Sequence, residues 1–351
     1  MLKLYPNIAI MIPAHNEELV LKDTIEALLD AGAHLEDIYV VDDASKDKTS
    51  EIAHQCGTNL LTLKENGGKA VALRKLFRYY MLGDRYEFII LLDADTKVDS
   101  QFLQAFHIAA IKDSSVSLYV GQVVSAKGGY ISAGRAVEYA IGQDLFKSGM
   151  SKHGLIFVAP GCASMYRGSV LKTLKFEGDT LAEDMDLTMQ VQRQRGKIVY
   201  VPEAIVITQD PGSIRDYSKQ VVRWFRGTWQ VIKKHRVMAF EKKQKVDAMM
   251  LFLMLDALIF NRLIWFMAVL WLFSFSWSAL LAALAIDTAV AFAIAVYAAR
   301  KNRRWDVIYK FPMYFWLTGY LNPVLFLKTF FEIMVFSKET LAWNKVQRYA
   351  P

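Results

Sequence analysis

Cysteine is scarce in this chain, which contains only Cys56 and Cys162 among its 351 residues. A pair so far apart lacks the short spacing of metal ligands, and it offers no framework of disulfides. The sequence therefore excludes a zinc-finger or disulfide-stapled fold. It predicts two free, buried thiols in a reducing compartment.

A secretory signal is not expected, and no nucleic-acid-binding motif is recognised in the sequence. A strand-length apolar run at 8–12 has no charged segment and apolar h-region ahead of it, so we expect the first domain to stay in the cytosol. Without a DNA- or RNA-binding motif, the net charge of +7 needs another explanation, such as an anionic lipid or substrate. No nucleic-acid partner is predicted.

Apolar residues are abundant but unevenly placed. They make up 54% of the chain, and the mean hydropathy is +0.19. Residues 1–245 have the composition of a soluble α/β domain, whereas 249–336 are dominated by large apolar side chains. Basic residues flank the apolar runs, and the clearest of them are Lys233, Lys234, Arg236, Lys242, Lys243, Lys245, Arg300, Lys301, Arg303 and Arg304. This placement favours the cytoplasmic face of a membrane.

Apolar runs alternate with helical patterns through the first hundred residues. The runs predict buried strands at 8–12, 38–41, 59–63 and 88–92. Helical segments separate them, which predicts an α/β fold with a Rossmann-like, mostly parallel sheet and helices on both faces. In such sheets ligands bind beyond the carboxyl ends of the strands.

A C-terminal α-helical membrane region is expected after this domain. The predicted division is a catalytic domain at 1–212, amphipathic interface helices at 213–248, a transmembrane region at 249–337 and a tail at 338–351.

Within the membrane region the apolar runs predict spans near 249–273, 278–299 and 317–336, with an interface helix at 305–316. Pro312 and Pro323 interrupt the last part, where a re-entrant hairpin fits as well. The basic flanks place the first domain in the cytoplasm but leave open the side on which the tail lies.

Three acidic motifs lie at the ends of predicted strands or the start of a helix. Asp43 closes the second strand, where its carboxylate can accept the N3–H of uracil; capping of the following turn by Asp42 or Asp43 is the alternative. Asp93-Ala94-Asp95 follows the fourth strand and suits Mg²⁺ or Mn²⁺, which would neutralise a sugar-diphosphate leaving group. Asp184 follows Glu183 and can act as a general base on an acceptor hydroxyl, or can simply stabilise the start of a helix.

Two further motifs carry positive charge. Lys69 opens a helix after a glycine-rich loop and can contact a phosphate or a nucleobase, with a plain surface lysine as the alternative. The loop lacks Walker spacing.

Gln220, Arg223 and Trp224 share one helical face. Indole can stack on a sugar while Gln and Arg donate to hydroxyls or diphosphate, although an anchored interface helix is the alternative.

In their order along the chain these motifs resemble glycosyltransferase family 2, in particular its membrane-embedded cellulose, hyaluronan and poly-N-acetylglucosamine synthases. The resemblance implies a GT-A-type domain. It implies nucleotide-binding roles for Pro13, His15, Glu17, Asp43, Lys69 and Asp93, and a metal-binding role for Asp95. It also implies acceptor- or diphosphate-binding roles for Gly161, Cys162, Gln220, Arg223 and Trp224, and catalytic roles for Asp184 with Glu183.

There are three departures from the family pattern. Ala182 replaces the usual Thr, and Cys162 replaces the usual Ser. Secreting members carry membrane helices ahead of the catalytic domain, which are not expected here, so threading of a polymer through this chain alone is not predicted.

The resulting prediction is an inverting, metal-dependent glycosyltransferase at the cell membrane, multi-pass, with its catalytic domain in the cytoplasm. It would use a UDP-sugar and extend a polysaccharide processively. Alternatives are a single addition to a lipid or lipid-linked acceptor, a sugar-nucleotide pyrophosphorylase, and a silent scaffold or polymer-transport subunit. A homo-oligomer and a complex with a partner membrane subunit both remain open.

Overall fold

The structure is a computed structural model, and it describes residues 7–235, 276–301 and 303–338. The chain divides into two compact units. Among the described residues, unit 1 contains 7–124 and 146–209, and unit 2 contains 125–145, 210–235, 276–301 and 303–338. The sequence prediction did not separate 125–145 from the first domain.

Unit 1 is built on a sheet of eight strands in the order β3-β2-β1-β4-β7-β6-β8-β5. The strands are β1 Ile8–Ala14, β2 Ile38–Asp42, β3 Asn59–Thr62, β4 Phe88–Leu91, β5 Thr96–Val98, β6 Val116–Ser125, β7 Ser164–Arg167 and β8 Lys197–Thr208. β1 pairs in parallel with both β2 and β4, and β2 pairs in parallel with β3. The four strands predicted in the first hundred residues are therefore present and parallel.

The other half of the sheet is not parallel. β7 pairs antiparallel with β4 and with β6, and β5 pairs antiparallel with β8. The sheet is therefore mixed, and the expectation of a mostly parallel sheet fits only its first half. The sequence pattern missed β5 and β7 because runs of three or four residues are too short to show a clear period.

The helices of unit 1 include the helical segments expected between the first four strands. They are α1 Leu21–Asp30, α2 Thr49–Gln55, α3 Lys69–Tyr79, α4 Leu82–Arg85, α5 Phe102–Lys112, α7 Phe146–Lys152, α8 Gly168–Leu171 and α9 Glu183–Arg193, with a 3₁₀ turn at Leu35–Asp37. Strands β2 and β4 are buried at every position, as expected where both faces of a sheet are covered. The core includes Met11, Tyr39, Leu73, Ile89 and Leu118, all at most 1% exposed.

Unit 2 is helical in its described residues, apart from the end of β6. Its helices are α6 Tyr130–Tyr139, α10 Ile214–His235, α11 Trp277–Lys301, α12 Asp306–Tyr309, α13 Phe311–Trp316 and α14 Asn322–Phe330, with π-helical segments at Ala140–Leu145, Leu317–Leu321 and Phe331–Val335. One core joins small residues such as Ala133, Ala136, Ala295 and Ala298. Small side chains let two helix backbones approach closely.

Buried Arg304 stabilises one end of unit 2. Its guanidinium donates to the carbonyls of Ser125 and Ala126 at 3.3 and 2.8 Å and pairs with Asp306 at 2.7 Å. From the sequence, Arg304 was expected among the basic residues that flank the membrane segments. At 4% exposure it is instead a satisfied structural cation.

The expected membrane region is only partly described. The predicted span 249–273, the end of the interface segment 213–248 and most of the tail 338–351 lie outside the described residues. The predicted span 278–299 falls within α11, and the interface segment 305–316 falls on α12 and α13. The described helices include none with both the length and the apolarity needed to cross a bilayer. The membrane spans remain predictions.

Candidate active site

The turn after β1 connects to the turn after β2 through polar contacts. His15 Nδ1 lies 2.8 Å from the backbone oxygen of Asp43, and Asn16 adopts a left-handed backbone with φ of 55°. The backbone N–H of Glu17 donates to Thr49 Oγ1 at 2.8 Å. Parallel pairing of β1 with β2 brings these carboxyl-end turns together, and Pro13 pairs in register with Val41. The turn after β1, which contains His15 and Glu17, therefore supports the loop that carries Asp43.

The carboxylate of Asp43 holds the glycine-rich loop. Its Oδ1 accepts the N–H of Gly67 at 2.8 Å, and its Oδ2 accepts the N–H of Gly68 at 2.7 Å. Gly68 has φ of +80°, a backbone that favours glycine. Asp43 is 3% exposed, so it is largely sequestered by the chain itself. Each carboxylate oxygen can still accept a second hydrogen bond.

Asp42 performs the local capping role that the sequence left open between the two acids. Its Oδ1 accepts the N–H of Ser45 at 2.9 Å, and its Oδ2 accepts the hydroxyl of Ser50. The two neighbouring acids thus have different partners, since adjacent residues leaving a strand point to opposite sides.

Lys69 joins two of the predicted acidic motifs. Its ammonium lies 2.6 Å from Oδ1 of Asp93 and 2.8 Å from Oε1 of Glu183. Burial alone would lower the pKa of Lys69, but Asp93, Glu183 and Asp184 together raise it well above its ordinary value. Lys69 therefore stays charged, and its side chain is not a plain surface lysine.

Asp93 and Asp95 lie in the turn between β4 and β5. Both are partly exposed, and Thr96 Oγ1 donates to Asp95 Oδ1 at 3.4 Å. The part of the chain that the structure describes has no group of three or more His, Cys, Asp or Glu side chains arranged for a metal ion. Two hard, accessible carboxylates still fit Mg²⁺ or Mn²⁺, because such ions are commonly held by one or two carboxylates together with substrate phosphates.

Asp184 faces the Gly161 turn at the start of α9. Its Oδ2 accepts the N–H of Gly161 at 3.2 Å, and its Oδ1 accepts the N–H of Met185 at 2.7 Å. A Cβ on Gly161 would lie 2.7 Å from Lys69 Nζ and 3.5 Å from Glu183 Oε1. A side chain at this position would displace the Lys69 ammonium, so glycine lets Lys69 lie close to this turn.

The surroundings of Asp184 raise the pKa of its carboxyl above the ordinary value. Burial is the largest cause raising the pKa of Asp184, and the Glu183 carboxylate raises it further. Lys69 and the two backbone N–H donors oppose this shift. A carboxyl with a raised pKa is better suited to accept a proton than an ordinary aspartate.

Lys147 on α7 was missed by the sequence analysis. Its side chain is 4% exposed, and burial lowers its pKa to about 7, against the opposing influence of Cys162 and Asp184. Burial also raises the pKa of the Cys162 thiol. A single lysine in a weakly periodic segment gave no signal. The buried cation beside the predicted base emerges only from the fold.

The motif of Gln220, Arg223 and Trp224 lies on α10 in unit 2. The carboxamide oxygen of Gln220 accepts from Nη2 of Arg135, and the Arg135 guanidinium lies 4.3 Å from the centroid of the Trp224 ring. The Arg223 side chain is half-buried and forms no hydrogen bond or ion pair with any described residue. Sequence reasoning missed Arg135 because it is 85 positions from Gln220 and belongs to no recognisable motif.

Sequence comparison gives a consistent match to one family. A family model described as "Glycosyltransferase like family 2" matches residues 6–227. A "Probable glycosyltransferase YdaM" of Bacillus subtilis is 27% identical over 257 residues, covering 70% of this chain and 60% of that protein. A poly-beta-1,6-N-acetyl-D-glucosamine synthase of Staphylococcus epidermidis is 26% identical over 235 residues, covering 64% and 55%. The chain spans less than two thirds of the length of these relatives.

Structural comparison supports a GT-A-like α/β fold with a mixed sheet. The structure of mannosyltransferase PcManGT from Pyrobaculum calidifontis, in complex with GDP-Man and Mn²⁺, aligns with a TM-score of 0.64 at 16% identity. The alignment covers 96% of this chain and 89% of that one. At this identity the likeness shows the fold alone.

Proposed function

The chain belongs to glycosyltransferase-like family 2, and we propose that it transfers a sugar from a UDP-sugar to a membrane-proximal acceptor, a growing polysaccharide. One observation carries the proposal. Lys69 forms ion pairs with Asp93, which follows β4, and with Glu183, which starts α9 next to Asp184. Lys69 also directly follows the glycine-rich loop that Asp43 holds. Groups suited to binding the nucleobase, binding the diphosphate and activating the acceptor thus lie close together at the carboxyl ends of parallel strands.

Donor recognition is assigned to the turns after β1 and β2. Asp43 orients the loop before Lys69 and keeps acceptor capacity for the N3–H of a uracil ring. His15 contacts the backbone of Asp43 and positions that residue. Pro13 and Glu17 shape the same turn, and we assign them supporting roles in nucleotide binding.

The diphosphate side of the site combines acid and base groups. Asp95, with Asp93, would hold Mg²⁺ or Mn²⁺, which supplies charge neutralisation for the departing diphosphate. Lys69 remains charged and supplies a second cation at the same turn. We assign the metal site to Asp93 and Asp95 because they are two partly exposed carboxylates on one turn.

The acceptor side of the site is assigned to Asp184. Asp184 removes the proton from the acceptor hydroxyl as the oxygen attacks the anomeric carbon. The bond from that carbon to the diphosphate oxygen breaks, and its electron pair leaves with the nucleoside diphosphate. A single displacement inverts the configuration at the anomeric carbon. Gly161 donates to Asp184 and, with Cys162, forms the adjacent turn, which we assign to acceptor contact.

A polysaccharide product is the finer part of the proposal. The similarity to a poly-beta-1,6-N-acetyl-D-glucosamine synthase and the Gln220–Trp224 motif support it. We assign Gln220, Arg223 and Trp224 to acceptor or diphosphate binding. A membrane location with a cytoplasmic catalytic domain is proposed from the apolar runs and their basic flanks. Resistance of the full chain to carbonate extraction from membranes would support that location, and release would contradict it.

A donor screen tests the proposal directly. The full-length protein is incubated with a panel of UDP- and GDP-sugars with Mn²⁺, Mg²⁺ or EDTA, and nucleotide release is followed by mass analysis of the product. We expect metal-dependent UDP release and a polymer ladder. A product with one added sugar would replace the polymer assignment by a single-addition enzyme. Absence of turnover with every donor would overturn the proposal.

The base assignment has its own matched variants. Asp184→Asn is expected to lower kcat about 100-fold or more while leaving donor binding nearly unchanged. Asp186→Asn is the control, because Asp186 is on the same helix turn but accepts from Gln190 at 2.9 Å. Full activity of Asp184→Asn would remove Asp184 as the base.

A further inference from the structure

A buried arginine of unit 2 contacts two members of the predicted motif on α10. The Arg135 guanidinium is 3% exposed and lies 4.3 Å from the ring centroid of Trp224 and 4.9 Å from that of Tyr217. Arginine over an aromatic face is favourable, and more so when desolvated. The indole of Trp224 therefore has one face fixed against the protein.

The same guanidinium fixes the orientation of Gln220. Nη2 of Arg135 donates to Oε1 of Gln220. Guanidinium has only donors, so the amide must turn its oxygen toward Arg135 and its NH₂ group away. That NH₂ group donates to no residue within the described part of the chain. Arg135 thereby decides which end of the amide is presented for a ligand.

Acidic neighbours stabilise the buried positive charge of Arg135. Nη1 of Arg135 donates to Glu138 at 2.9 Å, and its Nε lies 3.9 Å from Asp210, which is also buried. Glu138 in turn accepts from Tyr217 at 2.8 Å and from Asn322 at 3.0 Å. A buried charge with several partners is costly to break but holds a specific geometry.

Arg223 completes the contrast on α10. Its side chain is half-buried and forms no hydrogen bond or ion pair with the described residues, whereas Gln220 and Trp224 both contact Arg135. Because Arg135 contacts the Gln220 oxygen and one face of the Trp224 indole, three groups remain to bind a ligand. They are the Arg223 guanidinium, the Gln220 NH₂ group and the other indole face. All three suit a sugar hydroxyl, a diphosphate or a sugar ring.

We propose that Arg135 is a positioning residue that sets the orientation of the Gln220 amide and the Trp224 indole for binding a sugar-diphosphate or sugar acceptor. The role rests on the proposed glycosyl transfer for its kinetic consequence, but its structural part stands independently. Arg135 does not itself contact the ligand. It acts through Gln220 and Trp224.

The main test variant is Arg135→Lys, which keeps a positive charge beside Asp210 and Glu138. Burial raises the pKa of Asp210 to about 6, and Arg135 opposes that shift, so a neutral replacement would also change the charge of Asp210. Lysine lacks the planar fork that both donates to the amide and stacks on the ring. Arg304→Lys is the matched control, because Arg304 is equally buried in unit 2 but pairs with Asp306.

A spectroscopic readout tests the positioning without any need for turnover. The full chain is labelled with 5-fluorotryptophan, and the Trp224 resonance is assigned through its loss in Trp224→Phe. We expect Arg135→Lys to shift or broaden the Trp224 resonance and to leave that of buried Trp229 in place. Arg304→Lys should leave the Trp224 resonance unchanged. An unmoved Trp224 resonance in Arg135→Lys would overturn the positioning role.

A double-mutant cycle tests the functional link. Arg135→Lys is expected to lower kcat/KM about tenfold, and the same change in a Gln220→Ala/Trp224→Phe background should have little further effect, since it acts through those residues. Equal losses in both backgrounds, or an equal loss in Arg304→Lys, would refute the link. If the unmodified protein turns over no nucleotide-sugar, the proposed function fails, while the fluorine spectra still decide the positioning role.

Discussion

The ammonium of Lys69 lies 2.6 Å from Oδ1 of Asp93 and, on its other side, 2.8 Å from Oε1 of Glu183. Two motifs that are 90 residues apart in sequence, by the numbering of those two acids, are thereby joined by one cation. Such a cation keeps like charges together near a partly exposed turn, where they would otherwise repel. It also places positive charge where a diphosphate is expected.

Replacement of Lys69 by Met should therefore weaken UDP binding and also the contact between the Asp93 turn and the start of α9. We expect the Kd for UDP with Mn²⁺ to rise about tenfold, because the ammonium is lost and Asp93 and Glu183 are left without their shared partner. Isothermal titration of the full chain measures this. Lys97→Met is the matched control, since it removes a 2.8 Å Lys–Asp pair with Asp23 at a more exposed position. Equal UDP affinity in Lys69→Met and the unmodified chain would contradict the assigned role.

Asp43 and Asp42 offer a second test, because adjacent acids have different partners. Asp43→Asn keeps one acceptor but places an NH₂ group against the N–H of Gly67 or Gly68, so we expect a loss of about 1–3 kcal/mol in unfolding free energy. UDP affinity should fall as the loop before Lys69 loses its support. Thermal unfolding and UDP titration measure the two effects.

Asp42→Asn separates folding from recognition. Asp42 is equally buried but caps the turn at Ser45, so its replacement should reduce stability while leaving UDP affinity within about twofold. If both variants lost UDP affinity in proportion to stability, Asp43 would have a structural role only.

Local signals were sufficient for the first half of the fold. The apolar runs that form β1, β2 and β4 are continuous and end at polar turns, so strand positions and the residues at their carboxyl ends followed from the sequence. Parallel pairing then placed Asp43 and Asp93 at one edge of the sheet. Their individual partners did not follow, because a contact such as Lys69 to Glu183 depends on how α9 packs against the sheet.

Residues without a motif were beyond the reach of pattern reasoning. Arg135 and Lys147 are buried charges, and a charged residue in a sequence is expected at the surface unless a partner is known. The partners of Arg135 include Gln220 and Asp210, which are remote in sequence. The burial of such side chains is a tertiary property, so only the fold could identify them.

Lys147 predicts an unusual dependence of stability on pH. Burial lowers its pKa from the ordinary 10.5 to about 7, so the unfolded chain binds this proton more tightly than the folded one. The burial of charged Lys147 lowers the free energy of unfolding. This loss of stability is absent above the pKa of the unfolded chain, grows as pH falls from 10.5 toward 7, and is complete below about pH 7. Lys147→Met should therefore stabilise the fold more at pH 6.5 than at pH 10, by a few kcal/mol at most (~1.4 kcal/mol for each pKa unit).

The control for Lys147 lies on the same helix. Lys152 of α7 is exposed, so Lys152→Met should change stability little and equally at both pH values. Denaturant unfolding of both variants at the two pH values gives the comparison. A pH-independent effect of Lys147→Met would show that Lys147 is charged in the folded protein across this range.

The acid limb of the transfer reaction provides the sharpest test of Asp184. A general base must be deprotonated, so activity is lost as pH falls through its pKa, and burial together with Glu183 raises that pKa. Glu183→Gln removes a carboxylate that raises the pKa, so the acid limb of kcat/KM should move to lower pH. Lys69→Met removes a cation that lowers the pKa, so the limb should move to higher pH.

Opposite shifts distinguish this electrostatic origin from general damage to the site, which would lower activity at every pH without moving the limb. Asp186→Asn serves as the reference, because Asp186 lies on the same helix turn but its carboxylate accepts from Gln190 at 2.9 Å. Initial rates at low substrate concentration across the acid range, corrected for stability, give the profiles. Shifts of the same sign in Glu183→Gln and Lys69→Met would mean that the group controlling the acid limb is not Asp184.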